Sequence, residues 1–430
     1  MKALCIACFT ALSLSFNSSG EQFRTDINPA LLYYQAFLLA PNFEQAENDF
    51  LFDARGWKLP ERFGELVGRY DAQLSLVRRA AQETVPCDWG IDMSAGPLTL
   101  LPHLARAKAV VQGARLRAMW DLQQGRPADA SDNLLAALVL ARNVPRQGTL
   151  IAVLVQIAME AIICTTVAEN LGQFPAETLK QLLDGFEAAP ARSTVAGSIP
   201  LEKSSFHEWT YHKILELQRL NPQDDAKVLD EIRRFMGVDA IESDGSRVWE
   251  RVTKAAGGTS EGILKLLRDR DVSYETLGAI MALPYTEYQR QREQFWTESE
   301  KSPNPFISLS FSGFEKARER EFRILATLEM VRVTVEYKLH GEAGLQKVAD
   351  PCGNGPFAFR RFVFQGVDRG FELKSAYDLG GDPGVLIFVE KDGPPFRVSG
   401  PQVGKAFVKE NAEDAFRKRY GLDRTPAPAK

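Results

Sequence analysis

Residues 207–212 read HEWTYH, one residue longer than the HExxH signature of zinc-dependent hydrolases. In HExxH the histidines stand four apart, about 40° from each other around a helix, and one ion reaches both. Here the spacing is five, which sets His207 and His212 about 140° apart. A π-bulge restores the alignment, but such bulges are rare. Glu208 and His212 do share a face and are the metal-ligand candidates of this stretch, at a spacing equally suited to a surface hydrogen bond. The other histidines, His103 and His340, are far away in sequence. The expectation is an ordinary helix surface without zinc.

Other chemistries find little support. No GxSxG, phosphate-binding loop or dinucleotide fingerprint stands between a strand and a helix. Asp88 and Asp92 flank Trp89 in CDWGID and suit a small sugar site. A tryptophan in such a loop more often plugs a hydrophobic gap, and that is the expectation here.

The elements that would position these residues are mostly helical. NPALLYYQAFLLAP has Asn28 as a cap and Pro29 at the first helical position. A second helix is expected from about Glu61 to Gln82, with Phe63, Leu66, Tyr70, Leu74 and Val77 at three- and four-residue spacing. Residues 102–144 read as two helices joined by QGRPAD. Gly125, Ala130, Ala137 and Leu138 give this joint a resemblance to a tetratricopeptide hairpin, although Pro145 is displaced and no second copy follows at a period of 34.

GTLIAVLVQIAMEAIICTTVAENLGQF is the most apolar later segment. A membrane span is one reading, but Thr149, Gln156 and Glu160 form a polar stripe that is costly in a bilayer. The preferred reading is the central helix of a bundle. The run EKARERE near Glu315 reads as a solvated face with intrahelical ion pairs. After His340, FAFRRFVF, RGFELKS, GVLIFVE and FRVSG read as strands of a small antiparallel sheet docked on the helix near 315–340. KENAEDAFRKRYG suggests a short helix, and LDRTPAPAK a disordered tail.

The first twenty residues, MKALCIACFTALSLSFNSSG, have one lysine, an apolar run and small residues before Glu21, the layout of a secretory signal peptide. Cleavage after Gly20 leaves 410 of the 430 residues and moves the net charge from −4 to −5. A mildly acidic chain with no basic stripe is a poor nucleic-acid partner. Of the five cysteines, Cys87, Cys164 and Cys352 remain. Cys164 reads as a buried thiol. Cys87 and Cys352, in turn-rich loops of an exported chain, are candidates for a disulfide.

From residue 320 on, a helix bearing ATLEMVRVTVEYKLHGEAGL, then DPCGNGPFAFRR, then GFELKSAYDLGGD, resembles the C-terminal part of type II secretion pseudopilins. The matching positions are Asp350, Pro351 and Gly353, then Gly370, Phe371, Leu373 and Ser375. Behind a helical region and a signal peptide, this tail also resembles a group of exported, uncharacterised proteins of planctomycete-type bacteria. The chain departs from true pseudopilins in length and in lacking their N-terminal apolar helix with its glutamate. In some pseudopilins a loop after the sheet binds calcium, and the resemblance makes Asp378 and Asp382 the positions to inspect. Two carboxylates in a glycine-rich loop more often form a simple turn.

The expected protein is therefore mainly α: an irregular helical-hairpin stack or bundle with a small C-terminal antiparallel sheet. Its expected parts are a signal peptide (1–20), a helical domain (21–340), a β-rich subdomain (341–410) and a short helix with a disordered tail (411–430). The functional expectation is an exported, periplasmic or extracellular scaffold that is not an enzyme, uses no cofactor and meets a protein partner in the cell envelope. After signal cleavage no membrane span is expected. The alternatives are an exported hydrolase with a dispersed site, with or without a metal, or an accessory of a secretion or pilus-like machine.

Overall fold

A computed structural model describes residues 24–236 and 245–407. The signal-peptide expectation, the segment around GVDAIESDGS and the helix and tail expected after residue 408 lie outside the described residues.

The first helices follow local chemistry closely. In α1 (Pro29–Leu38) the Asn28 side chain accepts from the Ala30 amide, and proline opens the first turn. Helix α2 spans Gln45–Asp53. The single helix expected over 61–82 is instead two, α3 (Glu61–Gly68) and α4 (Asp71–Ala80). The chain bends at Arg69 and Tyr70, whose amides bond Leu66 and Val67 in a tight turn. Tyr70 is then buried against Gly113, where a Cβ would stand 2.6 Å from its ring. Periodicity alone does not show such a bend, because both halves keep one apolar face.

Helices α5 (Pro102–Gln123) and α6 (Pro127–Asn143) form the expected hairpin. Gly125 has φ +70°, a conformation that glycine adopts without strain, and Pro127 opens α6. Trp89 caps this layer as a plug. It is 3% exposed, stacks on Tyr33, Phe37 and His103, and donates its indole N–H to the Asn143 carbonyl.

Helix α7 (Leu150–Glu169) is long and apolar enough to cross a membrane by length and composition, and here it packs against α5, α6 and the sheet. Its polar stripe is not a solvent face: Gln156 and Glu160 are fully buried. Helices α8 (Ala176–Ala188) and α9 (Val195–Glu202) follow, then a π-helix at Lys203–Glu208. Next come α10 (Trp209–Leu220), α11 (Asp225–Phe235), α12 (Gly245–Ala255), α13 (Ser260–Met281) and α14 (Tyr285–Glu300). Helices α10 to α13 surround a small core of their own around Ile214, Ile232, Ile263 and Leu267.

The spine is α15 (Pro305–His340), capped by Asn304 and about 54 Å long at 1.5 Å per residue. The EKARERE run within it corrects the solvated-face expectation in part: Lys316 and Arg320 are exposed and Arg318 pairs with Glu321 within the helix, but that pair is buried. Arg318 is 7% exposed and Glu321 is fully buried. Arg318 donates to the Leu283 carbonyl, and Glu321 accepts from the Val195 amide at the start of α9. These charges tie helix ends of other elements to the spine.

The sheet is antiparallel in the order β1 (Ala358–Phe364), β2 (Val367–Lys374), β3 (Val385–Val389). Gln365 and Gly366, both at positive φ, make the two-residue turn that suits a twisted hairpin. Phe396, from the segment expected as a fourth strand, forms only an isolated bridge. The sheet has no separate core: Phe371 and Phe388 belong to the same buried cluster as α1 to α7. It docks on α15 through Tyr337, whose ring meets Phe359 and Phe371 at about 5 Å.

Candidate functional site

Each residue singled out in the sequence has a definite place, and none of them builds a joint centre. A π-helix does form beside HEWTYH. Pro200 removes an amide from the preceding turn, and Ser204 and Ser205 both donate to the Leu201 carbonyl, competing with the regular ladder. The widened turn ends at Glu208, so His207 and His212 stay on different faces. His207 is 4% exposed and faces Tyr274 of α13, with ring centroids 5.5 Å apart. Glu208 and His212 are exposed. Among the described residues, no three His, Cys, Asp or Glu side chains are placed to hold a metal.

Burial, with the neighbouring guanidinium of Arg270, pushes the His207 pKa down to about 4, against the pull of Asp271. Between that value and the ordinary 6.5, the unfolded chain binds a proton that the folded chain refuses. Stability is therefore expected to fall as the pH is lowered from about 6.5 towards 4. Urea midpoints across this range should show a steeper acid loss for the wild type than for His207→Phe, and equal slopes would refute the assignment.

Asp378 and Asp382 are also separate. Asp378 accepts from the Tyr285 hydroxyl and the Gln289 amide at 2.6 and 2.7 Å. Asp382 pairs with Arg323 at 2.8 Å and caps the Gly384 amide. Asp88 and Asp92 bond Gly90 and Ser94 within their own turns. The Cys87–Cys352 disulfide is not formed. Cys87 sits beside Tyr33 and Tyr34 of α1, whereas Cys352 lies under α15 against the Phe322 carbonyl. Both are buried free thiols, as is Cys164, and burial raises the pKa of each.

What the structure does assemble is a cationic crevice of about 340 Å³ at the seam between helices and sheet. Arg115 of α5, Arg55 after α2 and Arg397 after β3 line it, with Glu169 at the end of α7. Each is positioned by its element. Arg115 is 9% exposed and reaches Glu169 at 3.3 Å. Arg55 is anchored on the Ala54 carbonyl. Arg397 and Arg55 both lie over the Phe407 ring, 4.8 and 5.1 Å from its centroid. Among the described residues, three guanidinium groups meet Glu169 in the lining and Asp53 close to Arg55, which leaves one positive charge in excess.

That imbalance is visible at Arg55. Burial first, then the nearby Arg115, lower its pKa, partly offset by Glu169. An arginine does not deprotonate at ordinary pH, so the shift registers the burial of a charge first and crowding by Arg115 second. Gln112, Thr165 and Ser399 add polar groups to the walls, and Phe52, Ile162 and Phe407 add apolar ones. Planar guanidinium forks suit carboxylate, phosphate or sulfate oxygens. Among the described residues, no histidine, cysteine or lysine lines the crevice, and the chemistry of its walls suits an anion.

Sequence reasoning missed all three arginines. The one available signal was Arg115, set between Ala114 and Leu116 in an apolar stretch of α5, where a charge requires a partner. No protein family, curated protein or solved structure matches the chain.

Proposed function

We propose that this is an exported, non-enzymatic interaction protein of the cell envelope, and that the seam crevice is where it grips an acidic segment of a protein partner. The carrying observation is the gathering of Arg55, Arg115 and Arg397 at one crevice, in excess of the carboxylates Glu169 and Asp53 among the described residues. A helical scaffold with a rigid, partly desolvated cationic recess gives charge-selective docking, with long-range attraction that salt weakens. The N-terminal layout MKALCIACFTALSLSFNSSG supports export. For the hydrolase alternative, Glu208 and His212 meet no third metal donor among the described residues.

The test is light cross-linking of the tagged protein in its native host, followed by mass spectrometry of what is captured. Arg397 is exposed, so Arg397→Glu perturbs the charge without disturbing the core. A reproducible envelope partner whose recovery drops about tenfold in Arg397→Glu, and falls with added salt, is expected. Recovery indifferent to both changes, or no partner at all, refutes the reading. An exported mature protein whose sequenced N-terminus lies near Glu21 is the companion expectation.

A further inference from the structure

Phe407, the last described residue, stands at the mouth of the crevice. It is half-buried there, with the guanidinium groups of Arg397 and Arg55 over its ring. Backbone bonds fix the approach. The Arg397 amide donates to the Lys405 carbonyl at 3.0 Å, and the Gly404 amide to the Arg397 carbonyl at 2.8 Å. The chain is thus delivered to the cationic walls at Phe407. The next residues in sequence read VKENAEDAF, with Glu410, Glu413 and Asp414 against the single Lys409. The bases Arg417, Lys418 and Arg419 come only after them. Glu410 is three residues beyond Phe407, a reach of about 10 Å for an extended chain. Site and stretch are therefore complementary in charge and joined by a short link.

We infer that the crevice takes the acidic stretch 410–414 of its own chain as resident occupant, which an acidic segment of a partner must displace. The inference rests on the seam crevice being the recognition site. Tethering decides the competition. A segment on so short a link meets its site at an effective concentration on the order of millimolar. The contact itself is weak, because Arg397 is exposed and ion pairs open to water contribute little. Even at a Kd of about 100 µM, the tethered stretch fills the site about nine-tenths of the time and raises the apparent Kd of a free competitor about tenfold. Stray anions are thereby kept out, and a partner segment of higher affinity gains the crevice. The same stretch on a second copy has the same chemistry but lacks the tether, so it competes only at about millimolar protein.

The probe is an end-capped, fluorescein-labelled peptide VKENAEDAF, measured by fluorescence polarisation against two forms of the mature full chain. One is the wild type. The other carries Glu410→Gln, Glu413→Gln and Asp414→Asn together, which removes the charge of the stretch and adds none of the opposite sign. Circular dichroism of each form verifies its fold. Saturable binding to the triple variant is expected, at a Kd about tenfold below that of the wild type. Adding Arg397→Glu to the triple variant, or placing lysines at the peptide's three acids, should weaken binding tenfold or more. Equal affinity for the wild type and the triple variant overturns the inference, and so does a lack of saturable binding to the triple variant. Sedimentation that shows wild-type dimers at micromolar concentration and a monomeric triple variant overturns it too, in favour of exchange between two copies. If partner capture depends on Arg397 while both forms bind the peptide equally, the resident stretch fails and the partner reading survives. If the peptide results hold and no partner is captured, the partner reading fails and the resident stretch survives.

Discussion

Glu160→Gln is expected to lower folding stability by about 3–5 kcal/mol, the usual cost of removing one partner from a buried ion pair. Against a typical total of about 5–15 kcal/mol, that shifts a chemical denaturation midpoint far outside error. Glu160 is fully buried in α7 and accepts from Arg142 Nε at 2.6 Å and from Arg192 Nε at 2.9 Å. The chain of charges continues: Arg192 stands 3.7 Å from Glu321, which pairs with Arg318. Three cations therefore share two anions in a space with little water. Glutamine keeps the shape of Glu160 and removes half of the negative charge. Arg142 retains its bond to the Pro190 carbonyl, but Arg192 must then lean on Glu321 alone.

The companion variant separates charge from packing. Replacing Arg142, Glu160 and Arg192 together by Met, Leu and Met leaves the Arg318–Glu321 pair balanced. Apolar replacement of a whole buried ion group is often neutral or stabilising. The triple variant should therefore recover most of the loss seen in Glu160→Gln. If Glu160→Gln unfolds at the wild-type denaturant concentration, the network does not hold α6, α7 and α15 together in the way described.

This network shows where sequence reading reached and where it stopped. Thr149, Gln156 and Glu160 were recognisable as a polar stripe on an apolar helix, and the stripe is real. Its partners are not local. Arg142 lies in the preceding helix, Arg192 in the loop before α9, and Glu321 more than 150 residues on. A charge on a helix looks the same in sequence whether water or a distant guanidinium meets it. The EKARERE run was partly misread for that reason. The α5–α6 hairpin was legible because Gly125 and Pro127 are local punctuation, and the strands because β-branched and aromatic residues alternate between turns. The crevice was illegible because Arg55, Arg115 and Arg397 come from three distant stretches, and packing of the sheet against α7, and of α7 against α5, brings them together.

Asp350→Asn should loosen the attachment of the sheet at a cost on the order of 3 kcal/mol, since hydrogen bonds to a charged group contribute about 1.5–3 kcal/mol each and are not additive. Asp350 is 4% exposed and accepts three bonds: from the Cys352 amide at 2.9 Å, the Ser375 hydroxyl at 2.8 Å and the Ala376 amide at 2.6 Å. It thereby stitches the turn after α15 to the end of β2. Gly353 completes the turn, because a Cβ there would lie 3.2 Å from the carboxylate and 3.3 Å from Ala376. Asp350, Gly353 and Ser375 thus meet in one turn beside the end of β2. An asparagine amide in place of one carboxylate oxygen sets a donor against donors. Hydrogen exchange read by mass spectrometry should show lost protection over 350–377, with the α5–α6 hairpin unchanged. Ser375→Ala should cost about 1 kcal/mol alone and less in the Asp350→Asn background, as expected of two groups in one bond. Equal costs in both backgrounds would mean that the serine and the aspartate act independently.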